Sequence, residues 1–404
     1  MRYFLFFLSA VCFFGCIVKL YTLPAVKAWK PFRYVVLINS ILLFGVATYT
    51  TSAVWLRSNA VSYKLRILNP DWGDYYCYSY SSKYRPDMGG RRRSIAFDTY
   101  IPRWIDVSIC KLFGYQYYIE GCFFCSLLHG LTIMGAMVLL MHLLNLLHAS
   151  DGLKWISLLF LYNPFLLVEC GYPLPISYVL LILMGVCWAL ITHSQRFGLN
   201  FFALVALCIV HKSMYTCGLV TLCFYSFLRF RLRWLWIVLV GVCYPFVAKI
   251  ISVLYWYIFT WDMRIVYGSY IPMAPLYQRL LNSIFSPFCC NGSLIFFKAP
   301  LKTYASFIIN SVYNLLWIGL ACAVVAQLKH IRSFSNEHRK QVLILLNMLA
   351  IQIVCISKTL NATYILHYMQ SEVAFLFLLV LALLQKQQNS SGGYPRSKRS
   401  RTMN

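Results

Sequence analysis

Long apolar runs alternate with short, mostly basic connections along the chain, and most of the runs approach 20 residues. One α-helix needs about that length to cross roughly 30 Å of hydrocarbon. The pattern predicts about eleven spans, near residues 3–20, 34–55, 120–147, 154–169, 175–193, 198–211, 214–228, 234–258, 304–327, 341–357 and 371–385. An outer-membrane barrel would instead show short segments of alternating polarity. Spanning backbone must satisfy its hydrogen bonds internally, so helices are the spanning element. The expected fold is therefore all-α, a polytopic transmembrane helix bundle forming one domain over residues 1–385. A disordered basic tail is expected over residues 386–404.

The short loops orient the bundle. Lys19, Lys27, Lys30 and Arg33 lie between the first two runs, Arg229, Arg231 and Arg233 between the seventh and eighth, and Lys329, Arg332, Arg339 and Lys340 between the ninth and tenth. An excess of Lys and Arg marks cytoplasmic loops, so these face inward and the N-terminus faces outward. Two long segments, 56–119 and 259–303, then share the extracytoplasmic side with the connectors 170–174, 212–213 and 358–370. Of the acidic residues, Asp71, Asp74, Asp87, Asp98, Asp106, Glu120, Glu169, Asp262 and Glu372 fall on that side or at its interface, and only Asp151 and Glu337 fall inside. Any chemistry is expected outside, where cytosolic nucleotide donors are absent and a lipid-linked donor is natural.

Composition removes several classes. The chain has 404 residues, 60% hydrophobic and 12% charged, with a mean hydropathy of +0.66, outside the range of soluble domains. Lys and Arg number 36 against 11 Asp and Glu, giving a formal charge of +25. These charges are scattered through loops, apart from Arg91, Arg92, Arg93 and the tail "RSKRSR". That distribution suits topology and contact with lipid headgroups, and no basic soluble domain exists to hold nucleic acid. Most of the 16 cysteines lie within apolar runs as small hydrophobes. Cys77, Cys110, Cys289 and Cys290, in segments placed outside, are the candidates for oxidation. No Cys and His spacing suggests zinc, so neither metal nor cofactor is expected. The N-terminal "MRYFLFFLSAVCFFGCIVKL" has the look of a signal peptide, but its apolar stretch continues to Leu20, which favours an uncleaved first span.

The most distinctive string is "RILNPDWGDYYCYSYSSKYRP", where Asp71 and Asp74 sit among Tyr75, Tyr76, Tyr78, Tyr80 and Tyr84. Carboxylates and phenols in such a cluster suit sugar hydroxyls and ring faces; the alternative is an interfacial aromatic belt. Arg85, Arg91, Arg92, Arg93 and Arg103 form an exterior cationic run fit either for a lipid diphosphate or for anionic headgroups. Between the sixth and seventh runs, both short for a straight crossing, "IVHKSMYTCG" places His211 and Lys212. Ionisable groups there suggest a broken hairpin on a polar cavity, or an interfacial loop with a snorkelling Lys. Glu169, in "NPFLLVECGYPLP", is the best single general-base candidate, against a structural or capping carboxylate. Asp262, Arg264 and Arg279 offer another acid and base set in the second outer loop. "IPRWIDVSICKLFGYQYYIEG" carries Ile105, Ile109, Leu112 and Phe113 at helical spacing, as a helix lying on the membrane surface would. No G-x-S-x-G, P-loop or dinucleotide glycine pattern occurs, which removes serine hydrolases of that type, nucleotide-driven pumps and Rossmann enzymes.

The basic first loop, "DWGDYYCYSY", "WIDVSICKLFGYQYYI" and "HKSMYTCGLVTLCFYSF" together resemble the EpsG-like and Wzy-type polysaccharide polymerases of bacterial surface glycans. Arg103 and Gly114 match the Arg-x10-Gly spacing of that family, whereas Arg279 reaches Gly292 at the wrong distance and "ECGYPLP" replaces the stretch after the fourth span. The resemblance implies a bacterial inner-membrane enzyme that joins undecaprenyl-diphosphate-linked oligosaccharide repeats at the outer face, with membrane lipids and a chain-length regulator as partners. It implies Arg103, Lys212, Arg85 and Arg264 as the cations on the diphosphate and Glu169, Asp74 and His211 as competing bases, with Tyr75, Tyr78 and Asp71 against the sugars. A lipid-linked oligosaccharide flippase, a transferase using a lipid-phosphate sugar donor, and a glycan ligase are the rival readings.

Overall fold

The computed structural model describes residues 1–56, 105, 109, 112–113, 118–161, 176–210, 212–230, 312, 315–316, 318–357 and 372–391. Everything described is helix, turn or short connection, without a strand among these residues. In chain order the helices are α1 (Arg2–Thr22), α2 (Pro24–Lys27), α3 (Lys30–Leu56), α4 (Tyr118–Leu146), α5 (Asp151–Leu161), α6 (Ile176–Thr192), α7 (Phe197–Val210) and α8 (Lys212–Phe230). After these come α9 (Ile318–Leu328), a 3-10 turn (Ile331–Ser333), α10 (Asn336–Ser357) and α11 (Ala374–Ser391). Three stretches among the described residues, Arg2–Thr22, Lys30–Tyr49 and Phe123–Leu146, are long and apolar enough to cross a membrane. Shorter apolar helices include Ile176–Thr192 and Phe197–Val210. The eighth expected span, 234–258, lies outside the described residues. α11 runs on through Ser391, past residue 385 where the tail was expected to begin, because Gln and Lys are good helix formers.

Helix α4 is the axis of the bundle and packs against α1, α2, α3, α5, α6 and α11. It is apolar around its whole circumference, and such a helix belongs in a core. Met134, Met137, Leu140, Met141, Leu143 and Leu144 are all buried. α11 repeats the pattern, with every residue from Val373 to Leu384 buried. α1 differs, since only Ser9, Phe13 and Ile17 are buried, one stripe at a spacing of four. Its outer face presents Phe4, Phe7, Val11 and Val18, apolar positions that suit lipid rather than water.

Contacts fix the relative directions of the helices. Arg2 meets Glu120 and Phe6 meets Phe123, so α1 and α4 run parallel. His129 pairs with Ser177 and Gly135 touches Leu181, which makes α6 parallel to both. α3 runs the other way, with Phe44 on Phe123 and the Asn39 amide on the Met137 sulfur at 3.7 Å. α8 opposes α10, because Cys217 reaches the Met348 carbonyl and Asn347 donates to the Thr221 hydroxyl at 3.2 Å. α10 opposes α11, as Gln352 meets Glu372 and His338 Nε2 meets the Leu383 carbonyl at 2.7 Å. One end of the bundle therefore carries the starts of α1, α4, α6, α8 and α11 and the ends of α3, α7 and α10.

The opposite end is closed by polar caps. α4 stops at His148, whose φ of 52° lets Ala149 N–H bond back to the Leu144 carbonyl at 2.9 Å, a left-handed helix stop. Ser150 then caps α5 through Leu153 N–H, with Asp151 in its first turn. Polar side chains of three other helices bond the end of α6 and the turn that follows it. Asn200 Nδ2 donates to the His193 carbonyl at 2.9 Å and to the Tyr225 hydroxyl at 3.0 Å. Arg229 donates to the Gln195 side-chain oxygen at 2.8 Å, and Gln341 to the Ile191 carbonyl at 3.0 Å. Helix-end carbonyls left bare in apolar surroundings would be costly, so these bonds set where α7, α8 and α10 meet α6.

Two outcomes follow. A Cβ added at Gly218 would sit 2.9 Å from the Cys208 backbone nitrogen, whereas one at Gly135 would meet only the tip of Leu181 at 3.1 Å. Gly218→Ala should lower stability by about 1–3 kcal/mol, more than the ~1 kcal/mol of helix propensity it gains; Gly135→Ala should cost less. Melting temperatures of the two purified variants in detergent check the order. Burial, the main cause, holds His338 below the ordinary imidazole pKa, opposed by its bond to Leu383 and aided by Lys386. Its contribution is then complete above pH 6.5 and is lost as pH falls below that value, because the unfolded chain takes up the proton first. The loss in melting temperature between pH 7.5 and 5.5 should be smaller in His338→Gln than in the parent chain, with both endpoints taken about one unit to either side of 6.5.

Candidate functional site

Ionisable and amide groups are costly inside a helix bundle, so their positions are informative. Three polar pairs, two of them buried on both sides and one joining buried Glu120 to exposed Arg2, lie toward the end where α4, α6 and α11 begin. Glu120, in the first turn of α4, is buried and meets Arg2 Nε of α1 at 3.5 Å. Its Oε2 is buried without a hydrogen-bond partner. Two turns further along α4, His129 Nδ1 lies 2.5 Å from the Ser177 hydroxyl of α6. Both side chains are buried, and Tyr178 sets its ring edge-on to the imidazole at 4.8 Å.

The third pair joins α10 to α11. Gln352 donates its amide to one oxygen of Glu372, and both side chains are completely buried. Glu372 Oε1 and Gln352 Oε1 have no hydrogen-bond partner. One oxygen of the carboxyl group is thus held by an amide and the other is enclosed without a partner, an arrangement that packing alone does not require. The helix directions put Glu372 and Glu120 toward one end of the bundle, at the start of helices that also carry the His129 and Ser177 pair. No group of three His, Cys, Asp or Glu side chains suited to a metal occurs among the described residues.

Of the residues singled out in the sequence, Lys212 begins α8 and so stands at this same end. Glu169, Asp74, His211, Arg103, Arg85, Arg264, Tyr75, Tyr78 and Asp71 lie outside the described residues, as do Cys77, Cys110, Cys289 and Cys290. The expected surface helix is described at Ile105, Ile109, Leu112 and Phe113, each helical. Phe113 packs on Phe124 at 5.7 Å. Sequence reasoning assigned no role to Glu120 or Glu372 and passed over His129, Ser177 and Gln352. The available signal was a titratable or amide side chain inside an apolar run, as in "CSLLHGLTIMG" and "NMLAIQIVC".

These helices define the class: among the described residues the protein is all-helical, with helices apolar and long enough to cross a membrane. Its sequence and structure match no family model, curated protein or solved structure.

The Gln352 and Glu372 pair has a direct test. Glu372→Gln keeps an acceptor for the Gln352 amide, whereas Glu372→Ala leaves that buried donor bare, a loss of about 1–3 kcal/mol. Melting in detergent should rank the parent chain and Glu372→Gln together, with Glu372→Ala clearly lower.

Proposed function

We propose that this chain is a multi-pass protein of the bacterial inner membrane that polymerises lipid-linked oligosaccharide repeats at the extracytoplasmic face. The observation that carries the reading is the segregation of polar groups along the bundle. Buried Glu120, His129 and Glu372 gather toward one end, while Lys19, Lys27, Arg33, Arg229, Arg332 and Arg339 lie in the helix ends and turns at the other. Basic connections mark the cytoplasmic side, so the proton-accepting groups belong to the outer one. A flippase would spread ionisable side chains along the transport path across the midplane.

The chemistry requires two services. As the hydroxyl at the non-reducing end of the incoming repeat attacks the anomeric carbon of the growing chain, a base takes its proton. The bond from that carbon to the diphosphate oxygen breaks, and the lipid diphosphate leaves with the electron pair. Cations must balance the charge on that leaving group. In the proposed assignment Glu372 joins Glu169, Asp74 and His211 among the candidate bases. Arg103, Lys212, Arg85 and Arg264 hold the diphosphate, and Tyr75, Tyr78 and Asp71 contact sugar. Undecaprenyl-diphosphate-linked oligosaccharide is the substrate, membrane lipids surround the bundle, and a chain-length regulator is a proposed partner.

Glu372→Gln, Glu169→Gln and Arg103→Ala should each leave protein level and membrane insertion normal. The substitution that removes the base, or the cation on the diphosphate, should abolish long glycan chains while single-repeat products persist on the surface, as read by glycan electrophoresis. Loss of the single repeat as well would favour a flippase, and labelling that places Asp74 on the cytoplasmic side would end the proposal.

A further inference from the structure

At the basic end of the bundle, α3 and α5 line an apolar groove of about 310 Å³. Pro31, Tyr34 and Ile38 form one wall, and Trp155, Leu158 and Leu159 the other. Tyr34 is 68% exposed, Trp155 52%, Ile38 49% and Leu159 47%, so the groove opens on the outer surface of the bundle instead of belonging to its core. From Pro31 to Ile38 is two helical turns, or about 10 Å along the axis. A second helix, itself about 10 Å across, is too thick to enter. The volume lies at the small end of ligand pockets, which span about 300–1,000 Å³.

The groove begins beside a cluster of cations and tryptophans. Trp29 packs edge-on against Trp155 at 5.0 Å, and Lys154 Nζ lies 5.9 Å from the Trp29 ring. Arg33 Nη2 donates to the Lys27 carbonyl at 3.1 Å, while its Nε is buried without a hydrogen-bond partner. Lys30 adjoins Pro31 in sequence. Among the described residues of α2, α3 and the start of α5 the acid is Asp151, 3.3 Å from Lys154, so Lys27, Lys30, Arg33 and Lys154 outnumber it four to one. Tryptophan suits the headgroup level, and basic pockets between membrane helices hold anionic headgroups.

We propose that this groove holds one acyl chain of an anionic phospholipid from the adjoining leaflet, its phosphate lying against Arg33 and Lys154. Apolar walls and a cationic mouth match the two halves of that molecule, whereas a zwitterionic lipid would supply the chain without the net charge. The site is separate from the buried carboxylates at the other end.

The test is native mass spectrometry of the full chain in detergent, incubated with equimolar phosphatidylglycerol and phosphatidylcholine of identical acyl chains. One phosphatidylglycerol should be retained in preference, and Arg33→Gln and Lys154→Gln should each weaken the preference by roughly fivefold. Ile38→Trp, which fills the groove, should reduce retention of both lipids. Acyl-brominated phosphatidylglycerol supplies a measurement on the parent chain itself: it should quench tryptophan emission more than phosphatidylcholine brominated at the same positions, and the difference should shrink in Trp155→Phe. Equal retention of the two lipids, absence of that quenching, or a stable dimer dissociated by Ile38→Trp would each overturn the proposal.

Discussion

Helix α4 gives up most of its surface to other helices, because most positions along it are buried. Its neighbours must therefore surround it, and α1, α2, α3, α5, α6 and α11 do so. The aromatic contacts of Phe123 with Phe6 and Phe44 lock α1 and α3 to one flank. Gly135 leaves room for α6 on another flank, where a Cβ would stand 3.1 Å from Leu181 Cδ1. Dispersion and close packing do this, since apolar helices gain no hydrophobic energy by leaving lipid for one another.

Polar bonds then specify what packing leaves open. An apolar interface tolerates rotation and axial slip, whereas a hydrogen bond between two helices does not. The His129 and Ser177 pair sets α4 against α6, Asn347 and Thr221 set α10 against α8, and Gln352 and Glu372 set α11 against α10. Each of these side chains is expensive inside the bundle unless paired, so one arrangement is strongly preferred over its slipped alternatives.

The two ends of the bundle have different chemistry. The basic end has exposed cations, paired tryptophans and capped helix termini, a surface suited to a headgroup layer. The other end keeps carboxylates and an imidazole inside, with one oxygen of Glu120 and one of Glu372 unpaired. Structural needs explain the basic end through topology and capping. They do not explain the unpaired carboxylate oxygens, which is why the proposed chemistry is placed there.

Runs of apolar residues were enough to read the helical class and the approximate bounds of α1, α3, α4, α6, α7, α8 and α10, because hydrocarbon thickness and backbone hydrogen bonding leave so few solutions. The stripe of Ile105, Ile109, Leu112 and Phe113 was legible for a related reason, as its spacing matches the helical turn. Partner choice was not legible: nothing local in "CSLLHGLTIMG" tells His129 that its partner is 48 residues ahead on Ser177. Nor does Glu372 carry a mark in sequence that Gln352 will hold one oxygen and leave the other bare. Span length is a property of one segment and its solvent, whereas the pairing of buried polar groups arises from the rotation and depth at which separate helices meet.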